Sequence, residues 1–385
     1  MSDEQGRETF VDTGPAPRAA ERGVERWLLT RGSSFYALVT LMLCLAKYGV
    51  GIDPSWNYLQ ALARHWRSPH ASALLASPAD FRLESPVSAV LAGWLHLTGN
   101  ASFLEFHFVL VCVALTVPFA MPAVRHEAKL RFLVGLMIIG SAIPSLLLSW
   151  VGSYDPVSII AASIAVLARS KWVSFLGWIV FAFNNGFEAI VAGVVVCVII
   201  FFDEERRVDA RMIPPVLGVT YGYVAIAVLD HTWGGATGTF TLFRFYGFHR
   251  YLVGALDYWP LIVASALGVG WVLLASREVR LLPAARACFA MSLVASLAIP
   301  LVALDETRIT AGAMWAPILL VATICVRKLD TKAITRVLRR MTPVAVVLVL
   351  VVVWDGSLVY SGWHGAADVV GYFFLHHPIP AALAP

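Results

Sequence analysis

The sequence predicts an all-α polytopic membrane protein with about 11 transmembrane helices. Hydrophobic residues make up 59% of the 385 residues and charged residues only 14%, whereas soluble domains have about 45–50% apolar and about 25% charged residues. Apolar runs recur from Ser34 to Tyr360, and no polar stretch between them is long enough for a second domain. The basic residues form short clusters between these runs, which is typical of membrane orientation signals and argues against a nucleic-acid-binding surface.

A helix needs about 20 apolar residues to cross the hydrocarbon core of a bilayer. The predicted spans are 34–52, 102–121, 132–150, 156–169, 172–185, 187–202, 213–229, 259–275, 287–304, 309–325 and 342–361. The fourth and fifth of these are short, so we expect a tilted or partly re-entrant pair there. Residues 34–361 therefore form one predicted transmembrane domain, between a disordered cytoplasmic tail (1–33) and a short outer tail (362–385).

The basic residues predict the orientation, because Lys and Arg concentrate in short cytoplasmic loops. When the first helix runs from inside to outside, most of the 29 lysines and arginines fall on the inner side. The first apolar run has no cleavage site, so it is interpreted as a signal anchor. We therefore expect a multi-pass protein of the bacterial inner (plasma) membrane, with a cytoplasmic N-terminus and the C-terminus outside.

Two long loops, 53–101 and 230–258, lie on the predicted outer face. Within the first, residues 56–66 and 86–98 are interpreted as helices that lie flat on the surface, because a span at 86–98 would reverse the polarity of every later loop. Non-helical residues gathered on one face predict that the protein works at that face. No internal repeat and no pair of Gly/Pro-broken helices is evident, which argues against an inverted-repeat transporter.

Asp53 is the most informative single residue of this outer face. It stands where the first helix leaves the membrane, and Pro54 follows it and ends the helix. A carboxylate held at the lipid boundary can act as a general base on a hydroxyl group. The alternative is that Asp53 only marks the helix end and faces water.

Three features together resemble the GT-C glycosyltransferases, which use polyprenyl-phosphate-linked sugars. They are the acid after the first helix, the long first outer loop with flat helices, and the block SPVSAVLAGWLHLTG at 85–99. The resemblance implies a GT-C-like fold and a hexosyl- or pentosyltransferase, with Asp53 as catalytic base or metal ligand. The chain departs from the family pattern at Pro54, where many members have a second acid, and at Ser85, where they have the first Pro of a Pro-Pro pair.

Further polar and aromatic residues of the predicted outer face are candidates for binding the donor or substrate. A lipid-linked sugar brings a phosphate to the membrane surface, and its binding requires cations there. These candidates are Lys47, Trp56, Asn57, Tyr154, Asp155, Glu188, Arg244, Tyr246, His249, Arg250, Asp305, Glu306 and Arg308. Each turn that carries these residues could, taken alone, be a connector exposed to water. The position of all these turns on the same predicted face favours a common site.

No spacing of His, Cys, Asp or Glu predicts a metal site, and a divalent cation (Mg²⁺ or Mn²⁺) enters only through the resemblance. The expected partners are a polyprenyl-phosphate-linked sugar donor, a glycan, lipid or protein acceptor, and membrane lipids, with no nucleic acid. Two other functions stay open. One is a transporter or flippase of lipid-linked saccharides, and the other is a non-catalytic scaffold of an envelope complex.

Overall fold

The computed structural model describes residues 30–50, 56–67, 86–232, 259–299 and 306–351, and these residues contain helices and no β-strand. The all-α prediction is therefore confirmed for this part of the chain. The helices of six or more residues are α1 (Ser33–Tyr48), α2 (Trp56–Arg64), α3 (Val87–Trp94), α4 (Asn100–Ala120), α5 (Ala128–Ile139), α6 (Ile143–Ser149), α7 (Asp155–Leu167), α8 (Lys171–Asn184), α9 (Gly186–Asp203), α10 (Ile213–Thr232), α11 (259–267), α12 (Gly270–Ala275), α13 (Pro283–Ala298), α14 (Glu306–Lys328) and α15 (Thr331–Val351).

Among the described residues, four helices are long and apolar enough to cross a bilayer: α4, α9, α10 and α14. The pair α5 and α6, bent by 56°, makes a fifth if it counts as one broken span. Helices α1, α7 and α13 are apolar but shorter. Large apolar side chains point outward, as on α10, where Val216 and Val228 are 53% and 58% exposed. An apolar outer surface needs lipid around it, which supports a membrane protein with several spanning helices.

Helix α14 is the centre of the bundle. Every residue from Thr310 to Leu319 is buried, and α14 packs against α5, α7, α9 and α13. Its indole at Trp315 donates a 2.9 Å hydrogen bond to the Ser163 hydroxyl of α7. Since a polar group buried in a bundle needs a partner, this bond fixes how α14 sits against α7.

Glycines let α10 approach α8 closely. A Cβ atom at Gly218 would lie 2.4 Å from the Trp178 Cβ, and one at Gly222 would lie 2.5 Å from the Ile179 carbonyl oxygen. The two glycines are four residues apart and share one face of α10. This small-xxx-small arrangement is typical of helix pairs in membranes, where close backbone packing replaces the hydrophobic effect as the source of association.

Two helical segments are broken within predicted spans, and the breaks meet. The predicted span 132–150 is divided into α5 and α6, and the predicted span 259–275 is divided into α11 and α12 at Gly268. The Val269 backbone N–H donates a 2.8 Å hydrogen bond to the Gly140 carbonyl oxygen. The sequence-based view that the chain has no paired broken helices is therefore wrong. One break leaves the Gly140 carbonyl without an intrahelical donor, and the other leaves the Val269 N–H without an intrahelical acceptor. The two groups bond to each other, because backbone groups in lipid need a partner within the protein.

The segments 56–66 and 86–98, which the sequence predicts to lie flat on the outer face, each contain a short helix, α2 and α3. They pack on each other, and a Cβ at Gly93 would lie 2.3 Å from the Ala63 carbonyl oxygen. The Gln60 amide donates to the Thr98 carbonyl oxygen (3.0 Å) and to the Asn100 Oδ1 (2.8 Å) at the start of α4. With nine and eight residues, these helices span only about 12–14 Å and are too short to cross a bilayer.

At the other end of the bundle, the buried carboxylate of Asp203 and the partly buried carboxylate of Glu278 form ion pairs with basic residues of the predicted inner side. The Asp203 side chain is 1% exposed and forms ion pairs with Arg211 (3.5 Å), Arg327 (2.7 Å) and Lys328 (2.7 Å). The Glu278 carboxylate binds Arg336 (2.9 Å) and Arg340 (2.8 Å) of α15. Each of these pairs joins segments that the charge pattern assigns to the same side.

Candidate functional site

A cluster of polar and aromatic side chains lies where α7, α9 and α14 begin and α8 ends. We call it the outer cluster. It consists of Trp150, Tyr154, Asp155, Asn184, Glu188 and Arg308. The cluster stands at the opposite end of α9 from Asp203.

The turn between α6 and α7 sets the position of Asp155. Gly152 in this turn has a φ of +105°, which side-chain-bearing residues rarely adopt. The Ser153 hydroxyl donates to the Asp155 Oδ2 (2.8 Å) and accepts from the Asp155 backbone N–H (3.2 Å). Asp155 therefore lies in the first turn of α7, where the helix dipole stabilises a negative charge.

Arg308 reaches from α14 to this turn. Its Nη1 lies 3.5 Å from the Asp155 Oδ2, and its Nη2 donates a 2.8 Å hydrogen bond to the Tyr154 hydroxyl. The guanidinium carbon lies 5.1 Å from the ring centroids of both Trp150 and Tyr154. The Arg308 and Asp155 side chains are 10% and 3% exposed. Charges removed from solvent in this way are tolerated only when they are paired and hydrogen-bonded.

Asn184 connects α8 to the same turn. Its side-chain amide donates to the Tyr154 carbonyl oxygen (3.1 Å) and to the Ser158 hydroxyl (2.9 Å). The next residue, Asn185, caps α9, since its side chain accepts a hydrogen bond from the Glu188 backbone N–H (3.2 Å). The end of α8 and the beginning of α9 are thus both fixed by asparagine side chains.

Glu188 is a second buried acid of the outer cluster, and it is 2% exposed. Its Oε2 lies 2.5 Å from the position that a Cβ atom at Gly312 would occupy. Gly312 is one helical turn after Arg308 on α14, so its lack of a side chain makes the space for this carboxylate. Glu188 also lies in the first turn of α9, where the dipole of that helix stabilises its charge.

The first outer loop covers one side of the outer cluster through Trp56. The Trp56 Cβ lies 2.7 Å from the position of a Cβ at Gly152, and its ring is 6.2 Å from the ring of Phe103. Tyr154 packs against the same apolar group. Asn57, by contrast, is exposed on α2. Of these two predicted residues, the structure brings only Trp56 to the cluster.

Lys47 takes part in a different contact. Its ammonium donates a 2.5 Å hydrogen bond to the Leu348 carbonyl oxygen of α15 and lies 5.1 Å from the Tyr48 ring centroid. This contact joins the first described helix to the last one.

The remaining predicted site residues are not described. Asp53, Arg244, Tyr246, His249, Arg250 and Asp305 lie outside the described residues, and Glu306 begins α14 with a side chain that is not described. Of the predicted set, the structure thus assembles Tyr154, Asp155, Glu188 and Arg308, with Trp56 beside them.

A divalent metal site requires several ligands grouped around one point. Among the residues that the structure describes, no three His, Cys, Asp or Glu side chains are grouped in this way. The Asp155 carboxylate already contacts Ser153 and Arg308. A cation there would compete with the guanidinium, so the described part of the outer cluster does not fit a resident Mg²⁺ or Mn²⁺.

Sequence reasoning missed Trp150, Ser153 and Ser158, and it did not single out Asp203 or Glu278. The sequence did contain a signal for Trp150 and Ser153, because they stand at the end of an apolar run, next to the polar residues Tyr154 and Asp155. For Asp203, the signal was an acid at the end of a span facing basic loops. Ser158 gave none, since a lone serine in an apolar helix usually bonds to its own backbone.

Chemically, the outer cluster is a fixed cation at the end of a helical bundle. Aromatic rings and a buried carboxylate hold the guanidinium in one orientation, so an anion that reaches it meets a pre-positioned charge in surroundings of low dielectric constant.

Comparison of the chain with protein-family models, curated proteins and solved structures finds no match. The residues of the outer cluster and their geometry therefore carry the functional assignment.

Proposed function

We propose that this chain is a GT-C-like glycosyltransferase with about 11 spans, acting at the outer face of a bacterial inner membrane. It would transfer a hexosyl or pentosyl group from a polyprenyl phosphate donor to an envelope glycan, lipid or protein acceptor. The observation that supports the proposal is the Arg308 guanidinium held by Asp155 and Tyr154. It lies at the end of the bundle where Trp56 packs on Gly152.

The position of Asp53 in the chain supports its assignment as the base. It is three residues before Trp56, and three residues of chain span at most about 11 Å. In the proposed reaction, Asp53 accepts the proton of an acceptor hydroxyl while that oxygen attacks the anomeric carbon. The bond from this carbon to the phosphate oxygen breaks, and the phosphate leaves with the electron pair. The configuration at the anomeric carbon is inverted.

Arg308 would stabilise the charge that develops on the departing phosphate. Loss of one such electrostatic contact typically costs about 10²–10³ in rate. Asp155 and Tyr154 act as positioning residues in this scheme, because they hold the guanidinium without touching the reacting atoms. The outer loops, 53–101 and 230–258, would select the acceptor.

The test uses membranes that contain the full chain and a radiolabelled polyprenyl-phosphate sugar, with sugar transfer measured per amount of protein. Asp53→Asn is expected to lose at least about 100-fold in transfer, and Arg308→Lys about 10²–10³-fold. Glu105→Gln, which changes an exposed acid on α4, is the matched control and is expected to retain activity. Full transfer by Asp53→Asn would reject the proposal, and it is the result that a non-catalytic scaffold predicts.

One observation favours a second candidate, a transporter or flippase of lipid-linked saccharides. The break at Gly140 and the break at Gly268 meet in the interior of the bundle, and paired broken helices are typical of transporter binding sites. Proteoliposomes with a fluorescent lipid-linked saccharide separate the candidates. A flippase moves the probe between leaflets without a change in its chemistry, whereas a transferase releases polyprenyl phosphate.

A further inference from the structure

A groove lies between the C-terminal end of α9 and the first turns of α13, at the opposite end of α9 from the outer cluster. Its volume is about 550 Å³, within the range of about 300–1,000 Å³ that is usual for small-molecule sites. Val198, Phe202, Ala290 and Met291 form an apolar wall. Glu205, Arg206 and Arg286 stand at the polar end.

The turn that ends α9 determines where Arg206 points. Glu205 and Arg206 both have a positive φ, 54° and 66°, which costs energy for residues other than glycine. The Arg206 backbone N–H donates a 2.8 Å hydrogen bond to the Phe201 carbonyl oxygen, as in a helix-terminating Schellman motif. The chain therefore turns back at Arg206, and its guanidinium carbon lies 5.8 Å from the Phe202 ring centroid.

Arg286 provides a second cation from the other side of the groove. It lies in the first turn of α13, which begins at Pro283, so the positive end of that helix dipole adds to its charge. In the described part of the chain, neither Arg206 nor Arg286 forms an ion pair. Nearby Arg211, Arg327 and Lys328 all bind the Asp203 carboxylate.

An apolar wall that ends in two arginines matches an amphiphile with an anionic head group. We propose that this groove binds an anionic phospholipid of the inner leaflet, with an acyl chain along Val198, Phe202 and Met291 and the phosphate between Arg206 and Arg286. Glu205 reduces the net charge at this end of the groove to +1, so it weakens the attraction without reversing it. This lipid site does not depend on the glycosyltransferase proposal, because it requires only a chain embedded in a bilayer.

Native mass spectrometry of the full chain in detergent tests the site with two probes, dioleoylphosphatidylglycerol and dioleoylphosphatidylcholine. The anionic lipid is expected to bind more tightly than the zwitterionic one. Removal of each arginine, by Arg206→Gln and Arg286→Gln, is expected to weaken binding of the anionic lipid about fivefold. Glu205→Gln is expected to strengthen it, and Ala290→Trp, which fills the groove, is expected to block both lipids.

Arg207→Gln is the matched control, because Arg207 is the exposed neighbour of Arg206 and does not line the groove. The affinity of Arg207→Gln for the anionic lipid should stay within about twofold of the parent affinity, because this variant changes only the general surface charge. Equal losses in Arg206→Gln and Arg207→Gln would overturn the proposal, and so would equal binding of the two lipids or unchanged binding in Ala290→Trp. If Arg206→Gln fails to fold, Arg286→Gln and Glu205→Gln decide, since both residues lie on the exposed surface.

Discussion

The backbone N–H of Val269 donates its hydrogen bond to the carbonyl oxygen of Gly140, 2.8 Å away on a different broken helix. Within lipid, an unsatisfied backbone group costs several kcal/mol, so neither break is stable without the other. The indole of Trp271 in α12 adds a 2.6 Å hydrogen bond to the Val263 carbonyl oxygen in α11, which joins the two parts of that broken helix. The paired breaks are therefore a single structural unit.

Gly268→Ala is expected to destabilise this unit. Gly268 has a φ of +52°, and a Cβ there would lie 2.3 Å from the Gly140 carbonyl oxygen. The backbone conformation alone is expected to cost about 1–3 kcal/mol, and the overlap adds to it. The thermal midpoint of unfolding in detergent measures the loss.

Gly135→Ala is the matched control for that variant. A Cβ at Gly135 meets its nearest neighbour, the Thr40 hydroxyl, at 3.6 Å, which is an ordinary contact. Replacing a helical glycine with alanine there should be neutral or stabilising. A midpoint for Gly268→Ala equal to that of the parent would show that the breaks do not need each other.

The ion pair between Asp155 and Arg308 is expected to appear as a strong coupling in a double-mutant cycle. Arg308→Gln leaves the Asp155 carboxylate buried without its cation, a change that typically costs about 3–5 kcal/mol. Asp155→Asn is expected to be costly because it removes the carboxylate charge that faces the Arg308 guanidinium. The double variant should cost less than the sum of the two single variants, by about 0.5–3 kcal/mol. Additive losses in the free energy of unfolding would show that the two side chains act separately.

The contribution of Glu278 to stability is expected to depend on pH. Burial opposes ionisation of its carboxylate, but hydrogen bonds from its own backbone and from Arg336 and Arg340 outweigh burial and hold its pKa below the ordinary value of 4.5. A carboxylate whose pKa is lower in the folded state stabilises the fold above its unfolded pKa. This stabilisation is lost as the pH falls through the folded value.

Unfolding midpoints of the parent and Glu278→Gln measure this contribution. The difference between them should be largest near pH 7 and should shrink below about pH 4.5. A constant difference for Glu278→Gln would rule out a role for its ionisation.

Accessibility of single cysteines is expected to reveal the two faces of the membrane. In a variant without the five native cysteines, His65→Cys should react with a membrane-impermeant maleimide in intact cells, because His65 is exposed at the end of α2. Val208→Cys, at a residue that is 86% exposed, should react only after the cells are opened. The opposite pattern would reverse the predicted orientation.

The sequence predicted those helices whose limits are set locally. The predicted spans 102–121 and 187–202 agree closely with α4 (Asn100–Ala120) and α9 (Gly186–Asp203), since long apolar runs end there at polar or turn residues. The run 132–150 contains Gly140, Ser141 and Pro144, which are local signals for a break, and these signals were overlooked. The partner of the break was not predictable, because Val269 is distant in the chain.

The start of α15 was also missed. It begins at Thr331 instead of 342, and the Asp330 carboxylate caps it by accepting a 2.6 Å hydrogen bond from the Ala333 backbone N–H. The ion pairs of Arg336 and Arg340 with Glu278 depend on packing between distant segments and were not predictable. For the outer cluster, positions at span ends were enough to predict Tyr154, Asp155 and Arg308 as candidates. The arrangement of Trp150 and Arg308 was not predictable, because it depends on how α14 packs against the turn before α7.

The contact between Lys47 and Leu348 has a consequence for biogenesis. The two residues are 301 positions apart in the chain, so at about 5–20 residues per second the ribosome needs roughly 15–60 s to complete the second after the first. Through that interval α1 lies in the translocation machinery or the bilayer without this hydrogen bond. Its contact with α15 can form only late in synthesis, and truncation before Leu348 would remove the acceptor of this hydrogen bond.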